Sequence, residues 1–362
     1  MKKSTLCVLA SLTVLSISQA RGSRELSVDE AVAQLKTFVE GEAKAERFSG
    51  TVLFARDGEV LFQGAYGLAS RRFDVPNRID TKFNLGSMNK MFTCVAIMQL
   101  AESRQLTIKD PIYKYLDETW LPLELARKIS IEHLMTHTSG LGSYFNETYM
   151  QSSRAMFREL DDYKPIVYQD TLAFEPGTRW SYSNTGMFLL GVIVQLISDQ
   201  NYFDYVREHI FEPAGMLNTD SYEMDRPVKN LAIGYSEHDG EWFNNLYAHV
   251  IKGGPAGGGF STVPDLLAFD QALRNLVLLD QEHTELTWSA KPDIGSPSYG
   301  FGFFQDGNEN GRIVGHGGGF SGISSNLDMF LDSGFTAAVM SNIDGGANPV
   351  KDYIRTLLQQ VE

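Results

Sequence analysis

The sequence predicts an α+β fold: an antiparallel sheet flanked by N- and C-terminal helices, a mostly helical lobe set against it, and a cleft between the two. Three observations predict this. β-rich runs occupy two distant parts of the 362-residue chain, near residue 50 and from Phe260 onward. The segments between them repeat at helical spacing, and further helical patterns lie outside both β-rich portions. A helical middle inserted between two portions that share one sheet gives lobes that fold together, because no internal repeat, low-complexity tract or charged linker separates them. We therefore expect one domain over 21–362, with a sheet lobe at about 21–85 and 250–362 and a helical lobe at about 86–249.

In chain order, Lys2 and Lys3 precede the apolar run "LCVLASLTVLSI", and "SQA" at Ser18 to Ala20 places small residues at a cleavage site. Residues 1–20 are expected to be a signal peptide removed after Ala20, so the protein is expected to be periplasmic or secreted. A run of roughly a dozen apolar residues falls short of the ~20 that span a bilayer. "GMFLLGVIVQLIS", Gly186 to Ser198, likewise has the length of a buried core helix, so no stable membrane span is expected. "SVDE" at Ser27 to Glu30 is a capping box, and Val28, Val32, Leu35 and Val39 continue it as an amphipathic helix. "SGTVLFARDGEVLFQGAYG" carries two β-rich runs around Asp57-Gly58, a strong hairpin signal. Helical periodicity then marks Met91 to Leu100, Ile131 to Met135, Gly186 to Ser198 and Tyr202 to Phe211. Strands are expected in "RIVGHGGGFSGISSNLDMFLD" and "GFTAAVMSN", and a last helix in "PVKDYIRTLLQQV".

Composition narrows the function classes. With 43% hydrophobic and 21% charged residues the chain is ordinary globular protein with ample material for a core. Its net charge of −14 becomes −16 when Lys2 and Lys3 leave with the leader, which argues against a nucleic-acid partner. Of the two cysteines, Cys7 lies in the leader and Cys94 in a helix, so no internal disulfide is expected and Cys94 reads as packing.

The chemistry begins at "LGSMNK", Leu85 to Lys90. Residues three apart on a helix share a face, so Ser87 and Lys90 point the same way from the first turn. The helix that follows is apolar on nearly every side. Lys90 would therefore emerge partly desolvated, where its neutral form becomes accessible and can take a proton from a serine hydroxyl. The helix N-terminus adds the positive end of the backbone dipole, and the N–H of Ser87 can face an oxyanion. Downstream, Tyr182-Ser183-Asn184 falls in a turn before an apolar helix. A phenol near an ammonium favours its ionised form and can shuttle a proton, and the Asn184 amide can hold a substrate carbonyl and Lys90. A second Tyr-x-Asn, Tyr144 to Asn146, sits in a polar aromatic loop and is the weaker candidate. Third, "GHGGGFSG", Gly315 to Gly322, lets a substrate approach strand backbone closely. The same letters contain G-x-G-x-x-G, but no β-α-β unit surrounds them, so no dinucleotide and no other cofactor is expected.

Ser87-Met88-Asn89-Lys90, Tyr182-Ser183-Asn184 and His316-Gly317-Gly318 together resemble the three ordered motifs of the serine β-lactamase and penicillin-binding-protein superfamily. "ISIEHLMTHTSGL", "IFEPAGM", "AGGGFSTVPDL" and "YGFGF" match as flanks, and the likeness covers about residues 28 to 358. It is greatest to the branch holding class C β-lactamases, DD-carboxypeptidases, D-amino-acid peptidases and family VIII carboxylesterases. The resemblance implies the β-lactamase/transpeptidase-like fold and a metal-free serine hydrolase. In it Ser87 becomes acylated, Lys90 and Tyr182 serve as the base pair, and the N–H groups of Ser87 and Gly319 hold the oxyanion at ~3 kcal/mol of barrier each. Asn184, His316, Gly317, Gly318 and Gly319 would contact substrate. The third motif departs from the usual Lys-Thr-Gly. A histidine mostly neutral at pH 7 and a glycine offer a substrate carboxylate neither cation nor hydroxyl, which disfavours efficient β-lactamase action and points to small esters or D-amino-acid amides.

Other readings stay alongside. A DD-carboxypeptidase or weak β-lactamase is the enzymatic alternative, and a noncatalytic module that senses peptidoglycan or β-lactams is the alternative of another class. His133 and His137 sit four apart, but the intervening residues lack the glutamate of a zinc-hydrolase helix, so a structural role is expected for both. The aromatic stretch Ser143 to Phe157 reads equally as a substrate gate or as lobe packing.

Overall fold

The computed structural model describes residues 25–308 and 311–361; the expected leader lies outside the described residues. Its centre is a six-stranded antiparallel sheet. The strands are β1 Gly50–Arg56, β2 Glu59–Tyr66, β3 Phe304–Asn308, β4 Gly311–Phe320, β5 Ile323–Phe330 and β6 Phe335–Ser341, in the order β2-β1-β6-β5-β4-β3. The two β-rich portions therefore meet where β1 pairs with β6, from Gly50 opposite Ser341 to Arg56 opposite Phe335. The hairpin joining β1 to β2 turns on Asp57 and Gly58, both at positive φ (51° and 83°), as a two-residue turn with the twist of its strands requires.

Alternation along the central strands sorts side chains into two cores. Val52 and Phe54 of β1, with Ala337 and Val339 of β6, face α1 Val28–Lys44 and the C-terminal helix Ala347–Leu358, which present Leu35, Val39, Val350 and Ile354. Leu53, Ala55, Ala338 and Met340, on the opposite face, join the larger core of the helical lobe. Each of the larger of these side chains, Val, Leu, Ile, Phe or Met, contributes about 1.5–3 kcal/mol when fully buried. Ser27 caps α1 by a reciprocal box with Glu30.

The helical lobe is organised on α2 Asn89–Glu102 and α3 Asn184–Ser198, which pack on each other. Residues 89–98 of α2 are all buried, as expected of a helix apolar all round. Cys94 is buried there with its sulfur 3.8 Å from that of Met187, and burial pushes its thiol well up. The helical pattern at Tyr202 to Phe211 is realised as an α-turn that widens into a π-turn over Arg207–Phe211. Two features escaped the sequence reading. Helix Val263–Arg274 and helix Gln281–Trp288 intervene between Phe260 and the strands, and hairpin Tyr235–His238/Glu241–Asn244 returns to the sheet side through a bridge from Tyr235 to Ile343. Among the described residues no helix is long and apolar enough to cross a membrane.

Candidate active site

Ser87 sits in a 3-10 turn, Gly86–Met88, that runs directly into α2. The turn is held from three sides. Asn84 Oδ1 accepts the Gly86 N–H (2.8 Å), the Gly86 carbonyl accepts the Gly258 N–H (3.1 Å), and the Leu85 carbonyl accepts the Ser325 hydroxyl of β5 (2.7 Å). Gly86 has φ +52°, and a Cβ there would come within 2.8 Å of the Gly319 amide nitrogen. A Cβ on Gly318 would overlap the Leu85 carbonyl oxygen outright, so strand β4 lies against the serine turn with no room for a side chain at either contact.

Lys90, one turn on, is fully buried. Its Nζ donates to Asn184 Oδ1 (3.0 Å) and to the Ala256 carbonyl (2.5 Å), and stands 4.7 Å from the Tyr182 ring centre. Desolvation brings its pKa down to about 7, against a small opposing effect of the Cys94 thiol. Tyr182 and Ser87 line one cleft, and the serine side chain beside the phenol favours its ionised form. The hydroxyl, the amine and the phenol, drawn from residues 87, 90 and 182, thus converge at one place. The expectation that the ammonium favours the phenolate is corrected: burial pushes Tyr182 up to about 12, with only the Ser87 side chain acting against it, so the phenol keeps its proton at neutral pH. Of the two, Lys90 is the group able to accept a proton.

The Tyr182 loop is positioned by His137, itself at φ +60°. The Ser181 N–H donates to the His137 carbonyl (2.8 Å) and the Ser183 N–H to His137 Nδ1 (3.1 Å), bracketing Tyr182, whose ring lies 4.3 Å from the imidazole. His133 instead accepts the Ser130 N–H in a capping box, so the two histidines serve different turns. Asn184 reaches Lys90 with its oxygen and Ser143 Oγ with its nitrogen (3.2 Å).

The third motif divides. Gly319 lines a cleft of about 320 Å³ with Ser87, Tyr182, Asn184 and Ala256, whereas His316, Gly317 and Gly318 do not. These three, with Gly319, line a larger cavity of about 710 Å³ that reaches Lys351 and Arg355 of the C-terminal helix and holds none of Ser87, Lys90 or Tyr182. The His316 ring is turned inward. Its Nδ1–H donates to the Gly317 carbonyl (2.5 Å), and its Nε2 accepts the Tyr299 hydroxyl (3.0 Å). Burial, aided by Lys90, holds its pKa at about 3, so it is uncharged. In β4 the two-residue turn Ser321-Gly322 makes Phe320–Ile323 a bonded pair, so Gly319, opposite Ser324, turns its N–H away from β5. On that side β3 pairs only as far as Gly315, which leaves the Gly319 N–H at a free edge.

Gly318→Ala is accordingly expected to lower kcat/KM by about 100-fold, since displacement of reacting groups by ~1 Å costs that much. It should also destabilise the protein by about 1–3 kcal/mol through overpacking. Gly317→Ala, whose Cβ would meet its nearest neighbours at 3.5 Å, should lose far less on both counts. Steady-state kinetics and thermal melts of the pair check this.

Tyr299, Ala256 and Phe320 were not singled out from sequence, and Ser143 entered only as the first residue of the aromatic stretch Ser143 to Phe157. Tyr299 and Ala256 do fall in the flanking matches "YGFGF" and "AGGGFSTVPDL", where a signal existed.

A serine and a tyrosine in one cleft, over a buried lysine and beside a free strand edge, define a serine-hydrolase type of site. The Beta-lactamase family model matches residues 30–361, and the chain belongs to that family. Penicillin-binding protein 4* of Bacillus subtilis (strain 168) is 32% identical over 85% of this chain and 71% of its own length. The structure of a penicillin binding protein from Bacillus halodurans matches with a TM-score of 0.81 and 29% identity, over 89% of this chain and 98% of that one. A D-aminopeptidase of Brucella anthropi is 26% identical over 83% of this chain, which spans 57% of that protein. The protein is a serine hydrolase of the β-lactamase and penicillin-binding-protein family.

Proposed function

We propose that this protein is exported and hydrolyses small esters or D-amino-acid amides and peptides through an acyl-enzyme on Ser87. One observation carries the reading: a fully buried lysine whose pKa lies near 7, its Nζ 4.7 Å from the ring centre of a protonated tyrosine that shares one cleft with Ser87. Neutral Lys90 takes the Ser87 proton, directly or through the Tyr182 hydroxyl, as Ser87 Oγ attacks the carbonyl. The N–H groups of Ser87 and Gly319 receive the developing oxyanion. Tyr182 passes a proton to the leaving group and then helps activate the water that frees the acyl group. The Asn184 amide, bonded at rest to Ser143, exchanges that hydroxyl for a substrate carbonyl.

A second reading, a DD-carboxypeptidase or weak β-lactamase, is favoured by the similarity to Penicillin-binding protein 4*. The inward, uncharged His316 disfavours it, because a substrate carboxylate would find no cation there. Side-by-side turnover of a p-nitrophenyl ester, a D-amino-acid amide, a D-Ala-D-Ala peptide and nitrocefin decides between them. The first two are expected to exceed the last two in kcat/KM by at least about tenfold; the reverse order would install the second reading.

A further inference from the structure

The cleft above Ser87 has two aromatic walls from different lobes. Phe145, in the loop before helix Glu147–Gln151, and Phe320, at the end of β4, both line it, with ring centres 6.4 Å apart and planes within 25° of parallel. Both rings keep much of their surface in solvent, 37% for Phe145 and 45% for Phe320, and Met150 beside them keeps 60%. Two nearly parallel rings at this spacing sit at the outer limit of mutual contact, so a modest separation admits a methylene chain between them. Phe145 is tied to the reacting groups, since its N–H and the Asn184 amide both donate to Ser143 Oγ, while Phe320 follows Gly319 directly. The leaving group must lie at Tyr182 to collect its proton, so the part of the substrate that runs out between Asn184 and Gly319 is the acyl chain.

Charge is absent from these walls. Among the described residues no lysine, arginine, aspartate or glutamate lines the cleft. Arg154, which packs its guanidinium 4.2 Å from the Tyr149 ring, donates to the carbonyls of Tyr149, Ser152 and Ala248 and directs Nη2 to the carbonyl (3.5 Å) and sulfur (3.7 Å) of Met150, and does not itself line the cleft. His249 directs Nδ1 to the Val250 carbonyl (2.7 Å). A carboxylate in this space would be desolvated without a partner.

We propose that Phe145 and Phe320 form a two-sided subsite that selects unbranched, uncharged, apolar acyl chains and rejects acyl groups ending in a carboxylate. The proposal rests on the reading of Ser87 as the nucleophile. Its test uses three p-nitrophenyl esters with one leaving group: acetate, hexanoate, and the adipate monoester, which is hexanoate with its terminal methyl replaced by a carboxylate. The wild-type protein is expected to show a kcat/KM for hexanoate at least about 30-fold above that for the adipate monoester. Phe145→Ala and Phe320→Ala are each expected to lower the hexanoate-to-acetate ratio of kcat/KM about tenfold. Because the ratio is internal to each preparation, it does not depend on how much of a variant folds. Comparable turnover of the adipate and hexanoate esters, or a ratio that neither substitution moves, overturns the subsite while leaving Ser87 in place. Absence of Ser87-dependent turnover with every ester overturns the reading of the site, and the subsite with it.

Discussion

Ser87→Ala is expected to lower kcat/KM for a p-nitrophenyl ester by at least about 10⁴-fold, with an unchanged thermal melt. The size follows from what remains. Loss of a serine nucleophile in a preorganised site removes covalent catalysis as a unit and leaves only the binding and oxyanion contributions. No neighbouring group replaces it: the Tyr182 phenol is held protonated by a pKa near 12, and Cys94 is buried inside α2 with its thiol pushed up. Alanine fits the 3-10 turn, whose hydrogen bonds run through Asn84, Gly258 and Ser325 rather than through the serine side chain. Residual activity above about 1% of wild type would place the nucleophile elsewhere.

Lys90→Met should cost about 10²–10⁴-fold and, more tellingly, should change the pH profile. With a pKa near 7, Lys90 is the acceptor only when deprotonated, so wild-type kcat/KM rises with pH through about 7 and levels off above it. Two pH units below that pKa, only about 1% of the amine is neutral, so activity at pH 5 should be about 100-fold below the plateau. Methionine keeps the length and burial of the side chain but not the titration, and the inflection near pH 7 should vanish from the residual activity. A profile of unchanged midpoint in Lys90→Met would assign the titration to another group. His316, with a pKa near 3, and Tyr182, near 12, both lie far from the window.

Locally encoded features were the legible ones. The Ser27 capping box and the Asp57-Gly58 turn depend on residues within four positions of each other, and both form as read. Ser87 and Lys90 share a turn, so their approach follows from helix geometry, whereas the arrival of Tyr182 rests on tertiary packing that only the family likeness anticipated. Helix Val263–Arg274 carries its own start signal, with Thr262 as a cap accepting the Asp265 N–H and Pro264 in the first turn, where the sequence reading placed β-rich runs from Phe260 onward. Hairpin Tyr235–Asn244 bears an Asp239-Gly240 turn of the same kind as the one read at Asp57.

Two properties of the site, the protonation of Tyr182 and the direction of the His316 ring, turn on tertiary packing. The sign of the Tyr182 shift is set by burial of the phenol, which depends on tertiary packing, with the Ser87 side chain acting against it. For His316 the question is which face of β4 its ring takes. Three successive glycines leave no alternation of side chains by which sequence can tell one face from the other, and the ring turned toward Tyr299.

Peptide mapping after reaction with a fluorophosphonate tests the central assignment most directly. Trypsin releases Phe83 to Lys90, "FNLGSMNK", whose only hydroxyl is that of Ser87. A single adduct on this peptide is expected, formed faster as pH rises through about 7. A modified protein in which this peptide stays unlabelled and the adduct lies on Tyr182 or any other residue would contradict that assignment.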